Sequence, residues 1–310
     1  MSAVTYITFF FDLYRRDPSR SELSTVNKYH DNWLNVLSLE QPLVIFCEPD
    51  YVDDFLRLRD DRPTAIVKMS FEELPYYRYY HLFECGRKRN PVRNANPIKD
   101  TIDYTILILS KQWFISKVLD ANPFSSTHFA LVDIGITHVA TLDDCDVWNV
   151  WNEITDKIQT LDRVRVCCMR YVSRLGIRSR KHHYSLIRGH VCAGLIAGPA
   201  QTLLNWSEAY VKEFLTVLKL EIAPSDEQIL GVLVTDRPEL FDVYYGDYSD
   251  ILINFVEING DAEILLFNLK KSAEQDQRQK LIQTILETQK RRPDFLNFEQ
   301  EERFRHLRSK

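Results

Sequence analysis

The stretch Phe129-Ala-Leu-Val-Asp133-Ile-Gly135-Ile-Thr-His138 is an apolar run that stops abruptly at a carboxylate. It reads as a buried strand delivering Asp133 to its carboxyl end, where open α/β sheets hold their ligands. A buried Asp at a strand tip needs a partner; a metal, a sugar hydroxyl, a basic side chain or a backbone turn would each serve. Taken alone, Asp133 reads best as the cap of a turn. As a metal site it is half built. A strand-end Asp-X-Asp holds Mn²⁺ or Mg²⁺ through oxygen ligands, but the second acidic position is Gly135 here, so His138 or a residue far along the chain would have to complete it.

Cations can replace a metal where an anionic group must be neutralised. The candidates are Arg15 and Arg16, Lys111, and the run from Arg174 to Lys181 that includes Arg178. A guanidinium fork bonds two phosphate oxygens at once. Metal-assisted and metal-free chemistry carry equal weight at this point. From Arg163 through Ser207 there is no carboxylate, while Arg174, Arg178, Arg180, Lys181 and Arg188 crowd together. Such asymmetry in an acidic protein faces an anion or a partner, with a solvated basic loop, including His182-His183, as the competing reading.

Ser225-Asp226-Glu227-Gln228 has the form of a capping box, with acidic residues favoured by the dipole of the first turn. The same geometry suits a general base, so Asp226 or Glu227 could deprotonate an acceptor hydroxyl. An exposed carboxylate at a helix start has a lowered pKa, and base strength there demands burial. Gly189, Gly194 and Gly198 would allow close backbone approach to a sugar or tight helix–sheet packing; both readings stand.

The elements that must position these groups begin with a strand over Tyr6–Asp12, a helix over Ser21–Leu39 and a strand over Pro42–Cys47. A short helix over Asp50–Leu58 and a strand over Thr64–Met69 follow. This alternation is the signature of a parallel, Rossmann-like sheet, although no GxGxxG fingerprint is present. Between Pro75 and Asp103 the pattern breaks into an aromatic cluster, Tyr76–Tyr80, and a basic loop, Arg87–Arg93. A helix spans Tyr104–Leu119, another follows near Val150–Leu161, and Arg163–Val172 is a strand. Helices are expected over Ala200–Leu218 and Gln228–Thr235, with a strand or buried segment from Ile251 to Ile258. Beyond Lys270 the chain is charged and helical, and Phe295, Phe298 and Phe304 predict that it docks.

Composition sets the outer bounds. The chain has 310 residues, 45% hydrophobic and 27% charged, with a formal charge of −5, which argues against a general nucleic-acid binder. Six cysteines without CxxC spacing read as buried free thiols of a reducing compartment, and a cytoplasmic location is expected. No apolar run reaches the ~18 residues of a membrane-spanning helix.

Several short pieces, in order, resemble the bacterial HtrL/YibB (WlaTC-like) family, whose members are taken as glycosyltransferases. The pieces are Thr8-Phe-Phe-Phe-Asp12, Tyr104–Lys117 with Ser110-Lys111, Asn122-Pro123-Phe124, Val132-Asp133-Ile-Gly135-Ile, Ala193-Gly194 through Gly198, Asp226-Glu227-Gln228 and Tyr244-Tyr245-Gly246-Asp247-Tyr248. The resemblance implies an α/β, GT-A-like, Rossmann-type mixed sheet flanked by helices. A single domain over 1–265 would hold a nucleotide-binding half (about 1–140) and an acceptor half (about 141–265), with a helical extension over 266–310. It implies an inverting transferase moving a sugar from a nucleotide-sugar donor, UDP-linked, to a hydroxyl of a glycan acceptor. UDP-xylose is one donor to consider, because related viral proteins include a xylosyltransferase. Phe10, Asp12, Arg15, Lys111, Asp133, Gly135, Arg178 and Gly194 would line the donor site. Asp226 and Glu227 would supply the base, and Asp133 with His138 would hold Mn²⁺ or Mg²⁺ if a metal is used. The competing expectation is a non-catalytic glycan- or partner-binding module that makes its contacts through Tyr76–Tyr80, Trp148 and Trp151.

Overall fold

The computed structural model describes the chain except residues 1–2, 23–31, 94, 141–146, 170–179, 187–190, 247, 257–261, 272–274, 292, 294 and 310. Among the described residues the strands are β1 Val4–Phe10, β2 Leu43–Cys47, β3 Thr64–Lys68, β4 His128–Val132, β5 Val164–Cys168, β6 Val191–Pro199 and β7 Phe241–Tyr245. They form one sheet in the order β3-β2-β1-β4-β6-β5-β7. The pairs β1–β2, β2–β3, β1–β4 and β5–β7 are parallel, whereas β6 runs antiparallel to both β4 and β5. This is the expected α/β mixed sheet flanked by helices.

Helices of eight residues or more are labelled α1 Val52–Arg59, α2 Tyr80–Arg89, α3 Ile102–Leu109, α4 Lys111–Ala121 and α5 Val147–Gln159. They continue as α6 Ala200–Leu218, α7 Asp226–Asp236, α8 Ala262–Lys271, α9 Gln275–Arg291 and α10 Phe298–Arg308. Every residue of β1, β2 and β5 is buried, as expected of strands covered on both faces. Side chains alternate between those faces. Ile7, Phe9, Val44, Phe46, Phe129 and Leu131 pack with Phe114 of α4, Phe214 of α6 and Leu230 of α7. Tyr6, Phe10, Leu43, Ile45, Ala130 and Val132 pack with Phe55 of α1 and with Trp151 and Ile154 of α5. Helices α8, α9 and α10 gather around a separate cluster that includes Leu265, Leu269, Ile285 and Phe304.

Several expectations need correction. The helix expected over Tyr104–Leu119 is two, α3 and α4, divided at Ser110. The Ser110 hydroxyl donates to Ile106 O at 2.8 Å, and such back-bonding competes with the regular ladder. The broken region before Asp103 contains α2, because Phe83 is fully buried and packs on Phe214. Arg87-Lys88-Arg89 is then the last turn of a helix, where cations suit the dipole. Tyr76 and Tyr79 also pack on Phe214, so Tyr76 belongs to the core, while Tyr77 and Tyr79 are half-buried against it and Tyr80 is exposed. Trp151 is likewise buried, edge-on to Tyr6. The segment holding Gly194 and Gly198 is strand β6, and the segment after Ile251, expected as a strand or buried segment, is buried at Ile251, Leu252 and Phe255 and takes the form of a short helix, Ile253–Val256. Of the helix expected over Ser21–Leu39, Trp33–Leu37 is helical and residues 23–31 lie outside the described part.

Candidate active site

Asp133 follows β4 directly, and its backbone N–H donates to Gly194 O at 2.9 Å. The antiparallel register of β4 and β6, with Val132 opposite Leu195, places Ala193 and Gly194 at that strand end. Lys111 opens α4 just past the Ser110 break, with 5% of its surface exposed. Its ammonium lies 3.0 Å from each Asp133 oxygen, 3.0 Å from Ala193 O and 3.2 Å from Asp226 Oδ2. Asp226 is the first residue of α7 and is 4% exposed. The expected capping box is formed, with Ser225 Oγ accepting from Gln228 N at 3.2 Å and Ser225 N donating to Gln228 Oε1 at 2.9 Å. That cap fixes the direction in which α7 starts, and so aims Asp226 at Lys111.

Asp133 Oδ1 and Asp226 Oδ2 are buried and accept no hydrogen bond. They are held by charge, with Lys111 wedged between them. Burial would push the Lys111 ammonium down, but the Asp133 and then the Asp226 carboxylates hold it well above the usual lysine range. Burial pushes the Asp133 carboxyl up, with the Lys111 ammonium pulling against it and Asp226 adding to the rise. The remainder of Asp133 reaches solvent, with 35% side-chain exposure, and so presents the inner cluster to the cleft.

Glu227 behaves differently from its neighbour. Burial, and then the adjacent Asp226 charge, push its carboxyl up to about 7, against a hydrogen bond from Tyr248 and the Lys111 and Lys99 ammoniums. The lowered pKa expected of an exposed helix-start carboxylate is therefore reversed, because this carboxylate is largely withdrawn from water and stands beside the Asp226 charge. The Tyr248 hydroxyl donates to Glu227 Oε1. The Tyr104 hydroxyl also feels Lys111, Asp226, Glu227 and Asp133 after burial itself. A carboxyl poised near 7 and held at the edge of a charged cleft can take a proton from a hydroxyl at neutral pH.

A second polar network sits beyond the carboxyl ends of β1 and β2. Asp12 accepts from Arg15 N at 2.9 Å and from the Tyr51 hydroxyl at 2.6 Å, while Asp12 N donates to Glu48 Oε2 at 2.8 Å. Arg15, with half its side chain exposed, reaches Glu48 at 3.1 Å and Asp50 at 2.6 Å. Both networks lie at the same edge of the sheet, the edge where α/β folds bind ligands.

Of the expected site residues, the structure brings together Lys111, Asp133, Asp226, Glu227 and the backbone at Gly194, with Asp12 and Arg15 in the neighbouring network. Phe10 is not among them. The two-residue period of β1 turns it into the opposite core against Trp33 and Tyr51, and Phe9 faces Lys111, its ring centroid 5.9 Å from the ammonium. Gly135 is the buried residue before the turn Ile136–His138. A Cβ on Gly194 would stand at ordinary contact distance, 3.4 Å from Ile136 Cδ1 and 3.5 Å from Ile251 Cδ1, so packing does not by itself require glycine there and both readings stand. Arg178, Arg174, Arg188 and Gly189 lie outside the described residues. Arg180 is engaged by Glu213 at 2.9 Å and Asp236 at 2.9 Å. Sequence reasoning missed Glu48, Tyr51, Tyr104, Tyr248 and the Ala193 carbonyl. Only Glu48 carried a signal, since it ends an apolar strand as Asp133 does.

For a metal the donors fit poorly. His138 is exposed, with Nδ1 2.5 Å from Gly135 O. Among the described residues no three His, Cys, Asp or Glu groups stand together as a metal ion would need. An ammonium already fills the space between the two carboxylates.

The mixed sheet and the charged cleft at its carboxyl edge define an α/β protein with a Rossmann-type mixed sheet. The chain belongs to the family described as "Bacterial protein of unknown function (HtrL_YibB)", whose model matches residues 2–257. It is similar to protein HtrL of Escherichia coli (strain K12), with 20% identity over 263 residues, 79% of this chain and 88% of that protein. Among solved structures it is similar to mouse xyloside xylosyltransferase 1 in its apo form, with a TM-score of 0.38 and 10% identity over 83% of this chain and 93% of that one. It is also similar to 4-diphosphocytidyl-2C-methyl-D-erythritol synthase from Anaerococcus prevotii DSM 20548, with a TM-score of 0.37 and 11% identity over 87% and 98% of the two chains. Among the described residues no helix is long and apolar enough to cross a membrane.

Proposed function

We propose that this protein is a glycosyltransferase that moves a sugar from a nucleotide-sugar donor, UDP-linked, to a hydroxyl of a glycan acceptor with inversion. One observation carries the reading. A carboxylate at the start of α7, its proton affinity raised to about 7, stands beside a buried Lys111–Asp133–Asp226 cluster at the carboxyl edge of the sheet. In the proposed step Glu227 takes the acceptor hydroxyl proton as that oxygen forms its bond to the sugar C1. The C1–oxygen bond to the diphosphate breaks, and the nucleoside diphosphate leaves with the electron pair. Asp226 positions Lys111 and holds the start of α7. Asp12 with Tyr51 and Glu48 offers acceptors and a donor for the nucleoside, and Arg15 and Arg178 are the proposed cations for the diphosphate. Phe9, Asp133 and the Gly194 backbone form the floor.

The test is a panel of UDP, GDP and their sugars, UDP-xylose included, read first by thermal shift and then by transfer. A bound donor raises apparent stability by mass action. UDP is expected to raise the melting temperature, and Glu227→Gln to keep that shift while losing transfer. A chain that binds no nucleoside diphosphate in calorimetry, with or without Mn²⁺, refutes the proposal. If Asp226→Asn and Glu227→Gln both leave donor hydrolysis and transfer intact, a non-catalytic binding module is favoured instead.

A further inference from the structure

Four oxygens converge on one cation in this cleft. Both oxygens of Asp133, Asp226 Oδ2 and Ala193 O lie 3.0 to 3.2 Å from Lys111 Nζ. They come from three elements far apart in sequence: the end of β4, the start of α7 and strand β6. Two carboxylates and a carbonyl, converging from separate elements, are the donor set of a hard divalent cation. The distances are those of ammonium hydrogen bonds and ion pairs, and the lysine stem enters from α4 through the Phe9 side of the core. The two carboxylate oxygens that accept no hydrogen bond, Asp133 Oδ1 and Asp226 Oδ2, are the pair such a cation would bridge.

We propose that the Lys111 ammonium is a tethered cation occupying the oxygen shell that a divalent ion would otherwise take, so that the cleft excludes divalent ions and does its chemistry without one. The part played in sugar transfer rests on the glycosyltransferase reading above; the occupancy of the shell does not. Counting two carboxylates against one ammonium leaves the shell at a single negative charge. A divalent ion in the same place would make it neutral. Lys111 therefore leaves more of the donor's charge to cations outside the shell, which is the role proposed for Arg15.

The experiment uses the full chain and Mn²⁺ alone as probe. The native protein is expected to leave the Mn²⁺ spin-resonance signal at its free intensity and to melt at one temperature in EDTA and in Mn²⁺. Lys111→Ala empties the shell, and Mn²⁺ is expected to raise its melting temperature by about 5 °C, a gain lost again in Lys111→Ala/Asp226→Asn. A folded Lys111→Ala chain that ignores Mn²⁺ overturns the proposal. So does a stoichiometric Mn²⁺ site in the native chain that disappears in Asp133→Asn. The native measurement stands even if Lys111→Ala does not fold. A native chain that refuses Mn²⁺ but binds no nucleoside diphosphate would defeat the transferase reading and leave this one intact.

Discussion

Tyr248 donates its hydroxyl to Glu227 Oε1 from a turn 21 residues further along the chain. Glu227 is also faced by Asp226 on its own helix and by Lys111 and Lys99 from α4 and the loop before α3. Tyr104 of α3 and Cys192 of β6 feel its charge in turn. Of these partners, Tyr248 is the one that touches the carboxylate and favours its charged form.

Transfer should therefore rise with pH through about 7, where Glu227 loses its proton. Tyr248→Phe removes a hydrogen bond to the charged form, so the rising limb of kcat/KM should move to higher pH. Glu227→Gln should cost on the order of 10²–10⁴ in rate and abolish that limb. An unshifted limb in Tyr248→Phe, with only a uniform loss, would show that the tyrosine merely packs.

Stability should depend on the same proton. The folded value of Glu227 is raised from 4.5 to about 7, so the native state holds the proton more tightly than the unfolded chain. That contribution is full below about pH 4.5 and is lost as pH rises through about 7. Glu227→Gln should lack this decline and gain on the order of 3 kcal/mol relative to the native chain at pH 8. Urea unfolding of both chains from pH 4.5 to 8 reads the difference.

The two adjacent carboxylates should separate in a stability assay at pH 5. Asp226→Asn breaks a buried ion pair and should cost about 1–3 kcal/mol, whereas Glu227→Gln, protonated there in any case, should be nearly neutral. Equal losses at that pH would contradict the division of roles.

Arg59 tests the frame under the donor side. Fully buried, it donates to the carbonyls of Leu37, Leu39, Gln41 and Pro63 and to Thr64 Oγ1, tying the approach to β2 to the approach to β3. Arg59→Ala should cost about 3–5 kcal/mol. Arg59→Lys should recover little, since an ammonium has three donors and no planar fork. Chemical denaturation measures both.

Asp12→Ala should weaken UDP binding about tenfold while leaving the Mn²⁺ response of the chain unchanged, because Tyr51 and Arg15 N lose their acceptor at the β1–β2 edge. Calorimetry with UDP reads the first and thermal shift the second.

Much of this molecule was legible in its residues. Strands β1, β2, β4 and β5 announce themselves as apolar runs because both faces are largely buried, and β3, at the sheet edge, by a short β-branched run. Ser225 and Gln228 announce α7 because a capping box is a local exchange of hydrogen bonds. Strand β6 was not legible. Val191-Cys-Ala-Gly-Leu-Ile-Ala-Gly-Pro199 has weak strand propensity, and it is extended because β4 and β5 supply its partners from either side. Gly198 fits there because a Cβ would come within 3.1 Å of Arg163 O.

The sequence by itself determined that a carboxylate ends β4, that two more open α7, and that Lys111 lies within a helical stretch. Those follow from apolar period, capping chemistry and short-range hydrogen bonds. Only the tertiary structure decided that Lys111 lies between Asp133 and Asp226, that Phe9 and not Phe10 faces it, and that Glu227 is poised near 7. Desolvation and charge pairing depend on what packs around a group, and here those neighbours come from β4, β6, α3, α4 and the turn after β7.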